Sequence, residues 1–180
     1  MSVNLVAPSS LSPIAGIRLG TASAGIKKPG RRDLVLMALA QGSVAAAVFT
    51  RNAFCAAPVI VARAHLDVAA PRYLLINTGN ANAGTGEPGL RDARRCCASL
   101  ARLAGCAETE VLPFSTGVIG ESLPVDKIEA TLSSAEAALH ADGWVEAANG
   151  IMTTDTLAKG ASRQLVIDGK TITLTGIAKG

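Results

Sequence analysis

Short apolar runs rich in β-branched residues in the first part of the chain predict β-strands. Turn-forming residues such as Gln41-Gly42 and Thr50–Asn52 separate these runs. The predicted strands are Leu34–Leu39, Ala45–Phe49, Val59–Ala62 and Tyr73–Asn77. The last of them is apolar at almost every position, which is typical of a strand buried on both faces. It leads directly into a loop rich in Gly and Asn, Asn77–Gly86.

Two later segments place apolar residues at the 3.6-residue period of an amphipathic helix. The first begins at Glu87 and Pro88, residue types suited to a first helical turn, and ends at Gly105. The second follows Pro124, and a short third helix is predicted at Trp144–Ala148. The apolar positions of the two long helices are Leu90, Ala93, Cys97, Leu100, Ala101 and Ala104, then Val125, Ile128, Leu132, Ala135 and Leu139.

The remaining strands are predicted near the middle and the end of the chain. Val111–Phe114 is an apolar run that enters a loop of small residues, Ser115–Gly120. Arg163–Ile167 and Lys170–Thr175 flank Asp168-Gly169, a strong signal for a β-hairpin. Because strands and helices alternate without a linker, the sequence predicts a single α/β domain over residues 1–180.

Composition and charge exclude several classes of protein. Hydrophobic residues make up 49% of the 180 residues and charged residues 17%, which argues against disorder. The net charge of +3 is too small for a nucleic-acid-binding surface. The densest basic run, Lys27, Lys28, Arg31 and Arg32, is interpreted as a solvated turn. Arg91, Arg94 and Arg95 are expected on the polar side of their helix.

Neither a metal site nor a membrane segment is predicted. The four cysteines contain no C-x-x-C pair and are interpreted as small hydrophobic residues in a reducing compartment; they are Cys55, Cys96, Cys97 and Cys106. His65 and His140 are both expected at the surface. The N-terminal residues lack the features of a signal peptide, and no apolar run reaches membrane-spanning length. The sequence therefore predicts a soluble, cytoplasmic protein.

Candidate chemistry is concentrated in loops at strand ends. In Ser115–Gly120, the Thr116 hydroxyl beside the Gly117 N–H is suited to an oxyanion hole, although Ser-Thr-Gly is also common in ordinary turns. The Asn77–Gly86 loop is compatible with a phosphate cradle, or with a structural loop whose Asn side chains bind nearby backbone. It lacks the established phosphate-loop spacings.

A third candidate combines the Ile151–Asp155 segment with a lysine near the C-terminus. Thr153 and Lys179 are suited to holding the carboxylate of an amino acid, but a helix cap and a solvated lysine would give the same sequence. No G-x-S-x-G or H-E-x-x-H motif is present, and no His lies close to a candidate nucleophile loop. The chain therefore offers half of an active site and lacks a nucleophile and a base.

Seven segments, in order along the chain, resemble the glutamate/ornithine N-acetyltransferase family, known as ArgJ. They are Gly25–Lys27, Ala47–Asn52, Ala56–Val59, Asn77–Asn82, Ser115–Gly120, Ile151–Asp155 and Ala178–Gly180. The resemblance implies a layered α-β-β-α fold of the DmpA/ornithine acetyltransferase type, completed by a separate β chain. It implies a precursor that cleaves itself between Ala and Thr, with this chain as the α chain, in (αβ)2 or larger assemblies.

The resemblance also implies a reaction and a set of residue roles. Thr116 and Gly117 would form the oxyanion hole, and Thr153 and Lys179 would bind substrate. The N-terminal Thr of the β chain would be the nucleophile and take the acetyl group from N-acetylornithine, releasing ornithine, before glutamate accepts it. No cofactor is implied, and some members also use acetyl-CoA as the donor. The amine of the N-terminal Thr would serve as the base, which accounts for the missing His.

Three other functions remain open at this point. The first is a self-processing aminopeptidase or amidase of the same fold superfamily, in which water accepts the acyl group. The second is a nucleotide- or phosphate-binding module built on Asn77–Gly86. The third is a structural subunit whose site has decayed, which the intact Ser115-Thr-Gly117 sequence disfavours.

Overall fold

The computed structural model describes residues 6–180, so the first five residues of the N-terminal segment lie outside the described part. The elements follow in this order: β1 Ile17–Ala22, β2 Leu34–Leu39, α1 Ala57–Leu66, β3 Tyr73–Asn80, α2 Gly86–Ala104, a 3-10 turn Glu108–Glu110, β4 Val111–Val118, α3 Val125–Ala137, α4 Trp144–Gly150, β5 Lys159–Ile167 and β6 Lys170–Ala178.

The first four strands form one sheet in the order β1-β2-β3-β4. The pairs β1–β2 and β2–β3 are antiparallel, whereas β4 runs parallel to β3. Helix α2 makes the crossover that a parallel pair requires. The strands β5 and β6 form a separate antiparallel hairpin.

Alternate residues of the sheet face two different apolar clusters. One cluster contains Leu34, Leu36 and Leu75 together with apolar residues of α1, α2 and α3. Gly20 lies so close to α3 that a Cβ atom there would be 2.2 Å from the Ala135 carbonyl oxygen. The opposite face packs against α4 through Val35 and Trp144. The sheet therefore carries a helical layer on one face and α4 on the other.

The second face of the sheet is only partly covered near β3 and β4. Phe114 is 43% exposed, and Leu74 and Ile76 are partly exposed. The prediction that Tyr73–Asn77 is buried on both faces is therefore wrong for this second face, because α4 reaches β1 and β2 but not the whole sheet.

Most of the predicted strands are confirmed, and two are wrong. Leu34–Leu39 matches β2, Tyr73–Asn77 lies within β3, and Val111–Phe114 lies within β4. The two predicted hairpin strands lie within β5 and β6, which turn at Asp168-Gly169. Val59–Ala62 lies instead in α1, where Pro58 occupies the first turn and one face of the helix is buried. Ala45–Phe49 is irregular, and the described residues offer it no strand partner. Strand β1 was not predicted, because IRLGTA has no clear apolar alternation.

The three predicted helices are confirmed as α2, α3 and α4. Gly105 ends α2 in the left-handed conformation, with φ of 65°. Arg91, Arg94 and Arg95 are exposed as predicted. Arg95 also binds Asp126 and Glu129 of α3 and so links the two long helices.

The cysteines and histidines follow the predictions in part. All four cysteines are free; Cys96 and Cys97 are buried, but Cys55 and Cys106 are only half-buried. His140 is exposed, whereas the expectation of a surface His65 is wrong. The His65 side chain is buried because α1 packs against β4, and its Nδ1 lies 2.8 Å from the Val111 carbonyl oxygen. Across residues 6–180, no helix is both long and apolar enough to cross a membrane.

Candidate active site

The parallel pairing of β3 and β4 brings the two small-residue loops of the sequence side by side. Thr78 pairs with Thr116, and Gly79 with Gly117. Ser115–Val118 therefore continues β4, and the prediction that a loop begins at Ser115 is wrong for these four residues. The strand continues because Asn77–Asn80, also predicted as loop, extends β3 alongside it.

Two facing glycines let the strands approach closely beside Thr116. Gly117 has φ of 141°, and a Cβ atom there would be 2.3 Å from the carbonyl carbon of Gly79. Gly79 has φ of 98°, and its own Cβ would meet the Cβ of Lys27 at 2.9 Å. The pairing register also shifts at Gly79 and Asn80. Such irregularities re-aim backbone and side chains and are common next to active sites.

A cavity of about 490 Å³ lies above these strand ends. It brings together all four residues for which the sequence predicted a chemical role, Thr116, Gly117, Thr153 and Lys179, from three distant segments. Its other lining residues are Lys27, Lys28, Arg31, Asp33, Thr78, Gly79, Val118 and Thr154. The chemical roles themselves stay predictions.

The carboxylate of Asp155 organises the part of the site around Thr153 and Lys179. Its side chain is 2% exposed and accepts hydrogen bonds from the Thr153 N–H at 3.0 Å and the Gly180 N–H at 2.9 Å. Lys159 Nζ lies 2.8 Å from the same carboxylate, whereas Lys179 Nζ lies 3.9 Å away. The hydrogen bond from Lys159, followed by those from the Thr153 and Gly180 backbone, holds the pKa of Asp155 well below its usual range.

The basic run, interpreted from sequence as a solvated turn, contributes directly to this cavity. Lys27, Lys28 and Arg32 are exposed, but the guanidinium of Arg31 donates to the carbonyl oxygens of Met152 and Thr153. The interpretation is thus wrong for Arg31. The contact joins residues more than 120 positions apart, and no local sequence signal reveals it.

Two further residues at the cavity were not singled out from sequence. The buried carboxylate of Asp33 accepts the N–H groups of Ala24 and Ile26, each at 2.6 Å, and so holds the turn that carries Lys27. The hydroxyl of Thr78 is buried and has no hydrogen-bond partner among residues 6–180. An aspartate just before a strand and a threonine at a strand end are too common to have been recognised from sequence.

The Asn77–Gly86 loop is held by its own asparagine side chains. Asn80 donates to the carbonyl oxygens of Glu121 and Ser122, and its Oδ1 accepts the Asn82 N–H at 2.8 Å. Asn82, which is fully buried with φ of 45°, donates to the Gly89 carbonyl oxygen at 2.9 Å. These contacts agree with the structural interpretation of the loop, because Asn side chains tolerate the left-handed conformation and satisfy nearby backbone.

The cavity is positively charged and suits an anionic ligand. Four cationic side chains line it, Lys27, Lys28, Arg31 and Lys179, against one carboxylate, Asp33, whose two oxygens are already occupied by backbone N–H groups. The ion pair of Lys27 with Glu121 spans 3.5 Å, and both side chains are more than half exposed. Exposed pairs of this kind are weak, so Lys27 keeps most of its attraction for an anion.

The part of the cavity that residues 6–180 form contains neither His nor Cys, and its reactive side chains are threonine hydroxyls and lysine amines. In the same residues, no three His, Cys, Asp or Glu side chains lie close enough together to hold a metal ion. The described lining provides threonine hydroxyls and the backbone of Gly79 and Gly117, together with four cationic side chains.

Comparison with known proteins matches the chain to a family. The model of the ArgJ family matches residues 18–180. The chain is 61% identical over its full length to the arginine biosynthesis bifunctional protein ArgJ of Pseudomonas syringae pv. tomato, and likewise to that of Pseudomonas fluorescens. It spans about 44% of the length of each of these curated relatives.

Two crystal structures match the fold at similar identity. The ArgJ structure from Bacillus halodurans has a TM-score of 0.83 and 34% identity, with 92% of this chain and 87% of that chain covered. The ornithine acetyltransferase of Mycobacterium tuberculosis, solved in complex with ornithine, has a TM-score of 0.84 and 35% identity, with 94% and 90% covered. These matches confirm the fold class predicted from the sequence.

Proposed function

This chain belongs to the ArgJ family, and we propose from that premise that it is the α part of an acetyltransferase of arginine biosynthesis. The enzyme moves the acetyl group of N-acetylornithine to glutamate. The observation that carries the proposal is the single cavity lined by Thr116, Gly117, Thr153 and Lys179. A hydroxyl and a backbone N–H suit an acyl-transfer oxyanion, and the cationic surroundings suit the carboxylate of an amino acid.

The missing nucleophile is supplied by a β chain made from the same precursor. The curated relatives are more than twice as long as this chain, whereas the matched crystal chains are covered over 87% and 90% of their length. Chains of about this length within a family of longer proteins support a precursor that cleaves itself in two. The new N-terminal Thr of the second part then completes the cavity, and the α and β chains assemble as (αβ)2 or larger.

The proposed reaction has two acyl-transfer steps. The Thr hydroxyl attacks the acetyl carbonyl carbon of N-acetylornithine and gives its proton to its own α-amine, whose unperturbed pKa is roughly 7.7–8.0. The C–N bond breaks, the proton passes to the departing amine of ornithine, and an acetyl ester remains on Thr. The neutral amine of glutamate then attacks this ester and forms a new C–N bond as the C–O bond to Thr breaks. The proton that the amine loses passes through the α-amine to the Thr oxygen and restores the hydroxyl.

In both steps the α chain stabilises the developing oxyanion and orients the substrate. Negative charge that develops on the acetyl oxygen is held by the Thr116 hydroxyl and the Gly117 N–H, and losing one such donor typically costs about 3–4 kcal/mol. Thr153 and Lys179 hold the amino-acid part of the substrate, with Lys179 as the positive charge. The Mycobacterium tuberculosis protein was solved in complex with ornithine, which supports an amino-acid ligand for the family. The proposal includes no cofactor, and acetyl-CoA, which some members of the family use, is a candidate second acetyl donor.

The compartment belongs to the same proposal. A biosynthetic reaction on amino acids and four free cysteines both favour the cytoplasm.

The direct test is acetyl transfer by the protein expressed from its full reading frame. With N-acetylornithine and glutamate supplied, the wild-type enzyme should form ornithine and N-acetylglutamate in equal amounts. Thr116→Ala should abolish most of this transfer while leaving the protein folded. Release of free acetate without N-acetylglutamate would instead identify the related aminopeptidase or amidase, in which water accepts the acyl group.

A further inference from the structure

Asp155 connects two segments that line the proposed site, the loop after α4 and the end of β6. One oxygen accepts the Gly180 N–H at 2.9 Å and lies 2.8 Å from Lys159 Nζ. The other accepts the Thr153 N–H at 3.0 Å and faces Lys179 Nζ at 3.9 Å. The carboxylate therefore ties the loop after α4 to the end of β6 beside the cavity.

The two lysines near this carboxylate differ in burial and in distance. Lys159 is 19% exposed and makes a hydrogen-bonded ion pair, which satisfies the charge of the buried carboxylate. Lys179 is 33% exposed, lies too far away for a hydrogen bond, and lines the cavity. Because Lys159 neutralises Asp155, the ammonium group of Lys179 remains available to a ligand.

We propose that Asp155 is a positioning residue that sets Thr153, Lys179 and the backbone at Gly180 relative to one another. Through these contacts it determines how well the site holds the carboxylate of an amino acid. The inference rests on the proposed function, since it assigns Asp155 to that same site.

A matched control exists elsewhere in the chain. Glu129 is also a carboxylate with several hydrogen bonds, to Arg95 and Ser99, but it links α2 to α3 and does not line the cavity. Glu129→Gln removes a comparable network without touching the site. If Asp155 only stabilises the fold, each of the two variants Asp155→Asn and Glu129→Gln should lose activity only to the extent that it loses folded protein.

The experiment uses the protein expressed from its full reading frame, and it measures kcat and KM for N-acetylornithine, and Tm. Asp155→Asn should lower kcat/KM by about tenfold or more at temperatures well below its Tm, because a displacement of about 1 Å costs up to about a hundredfold. Glu129→Gln should turn over like the wild type. If the wild type itself transfers no acetyl group, the proposed function fails, independently of Asp155.

A second variant keeps the test decisive if Asp155→Asn does not fold. Lys159→Met leaves the carboxylate without its close cation, so that Lys179 should be drawn to Asp155 and away from the substrate. KM should then rise about fivefold or more with kcat nearly unchanged, and Lys159→Arg should restore it, since the guanidinium also pairs with a carboxylate. An unchanged KM in Lys159→Met, or Asp155→Asn that behaves like Glu129→Gln, would overturn the proposal.

Discussion

Replacing Gly117 by alanine should severely impair the proposed site. The added Cβ would lie 2.3 Å from the Gly79 carbonyl carbon and 2.6 Å from the Asn80 nitrogen. Since Cβ contacts below 3.0 Å essentially never occur, β3 and β4 must separate by about 0.7 Å at this point. The φ of 141° adds a strain of about 1–3 kcal/mol for a residue with a side chain.

The loss of activity follows from that displacement. A shift approaching 1 Å at a reacting group costs up to about a hundredfold in rate, so Gly117→Ala should lower kcat by roughly that factor. The Tm should fall as well, because the strain and the separation act on the sheet itself. The assay is acetyl transfer by the full-length protein at a temperature where circular dichroism shows that it is folded.

Gly176→Ala provides the control for this prediction. Gly176 lies in β6 with no atom within 4 Å of its added Cβ, and its φ is outside the positive range. It should retain wild-type turnover and gain slightly in stability, because alanine has less freedom to lose on folding. Wild-type turnover in Gly117→Ala would refute the assignment of the Gly117 N–H to the oxyanion hole.

Three further predictions concern Thr116, the buried cysteines and Asp155. Thr116→Ala should lower kcat by about a hundredfold to a thousandfold, whereas Thr116→Ser should keep most of it, as measured by acetyl transfer. Cys96 and Cys97 should resist alkylation by iodoacetamide in the folded protein, because burial raises the pKa of both thiols, that of Cys96 to about 12. Mass spectrometry would measure the labelling, and alkylation at the rate of a free thiol would contradict this prediction. The pKa of Asp155 is lowered on folding, so its ionised form stabilises the protein above the unfolded value of about 3.9, and this contribution is lost as the pH falls below it. Urea unfolding should thus show a stability difference between wild type and Asp155→Asn that is constant above about pH 5 and shrinks towards pH 3; a difference that does not change with pH would contradict the assignment.

The sequence predicted the elements whose signal is local. The 3.6-residue period placed α2 and α3, and Asp168-Gly169 placed the hairpin, because each depends only on neighbouring residues. Val59–Ala62 was mistaken for a strand because its β-branched residues suit both states. The helical signal available in the sequence was Pro58 with Val61 and His65 at helical spacing after it, and the structure buries all three on one face of α1.

The site was predictable only in part, for a different reason. Thr116, Gly117, Thr153 and Lys179 were chosen from short motifs and from a family resemblance, and the fold brings them to one cavity. The contacts that hold this cavity together join residues far apart in the chain, as between Arg31 and Thr153. Such contacts have no periodicity and no spacing rule, so the sequence could not reveal them.

The central claim is that this α chain holds half of an acyl-transfer site and that a self-cleaved β chain supplies the nucleophile. Intact mass spectrometry of the protein expressed from its full reading frame, before and after incubation with N-acetylornithine, tests it most directly. The account predicts two equimolar fragments, the larger beginning with Thr and gaining one acetyl group upon incubation. A single uncleaved chain that gains no acetyl group would contradict it.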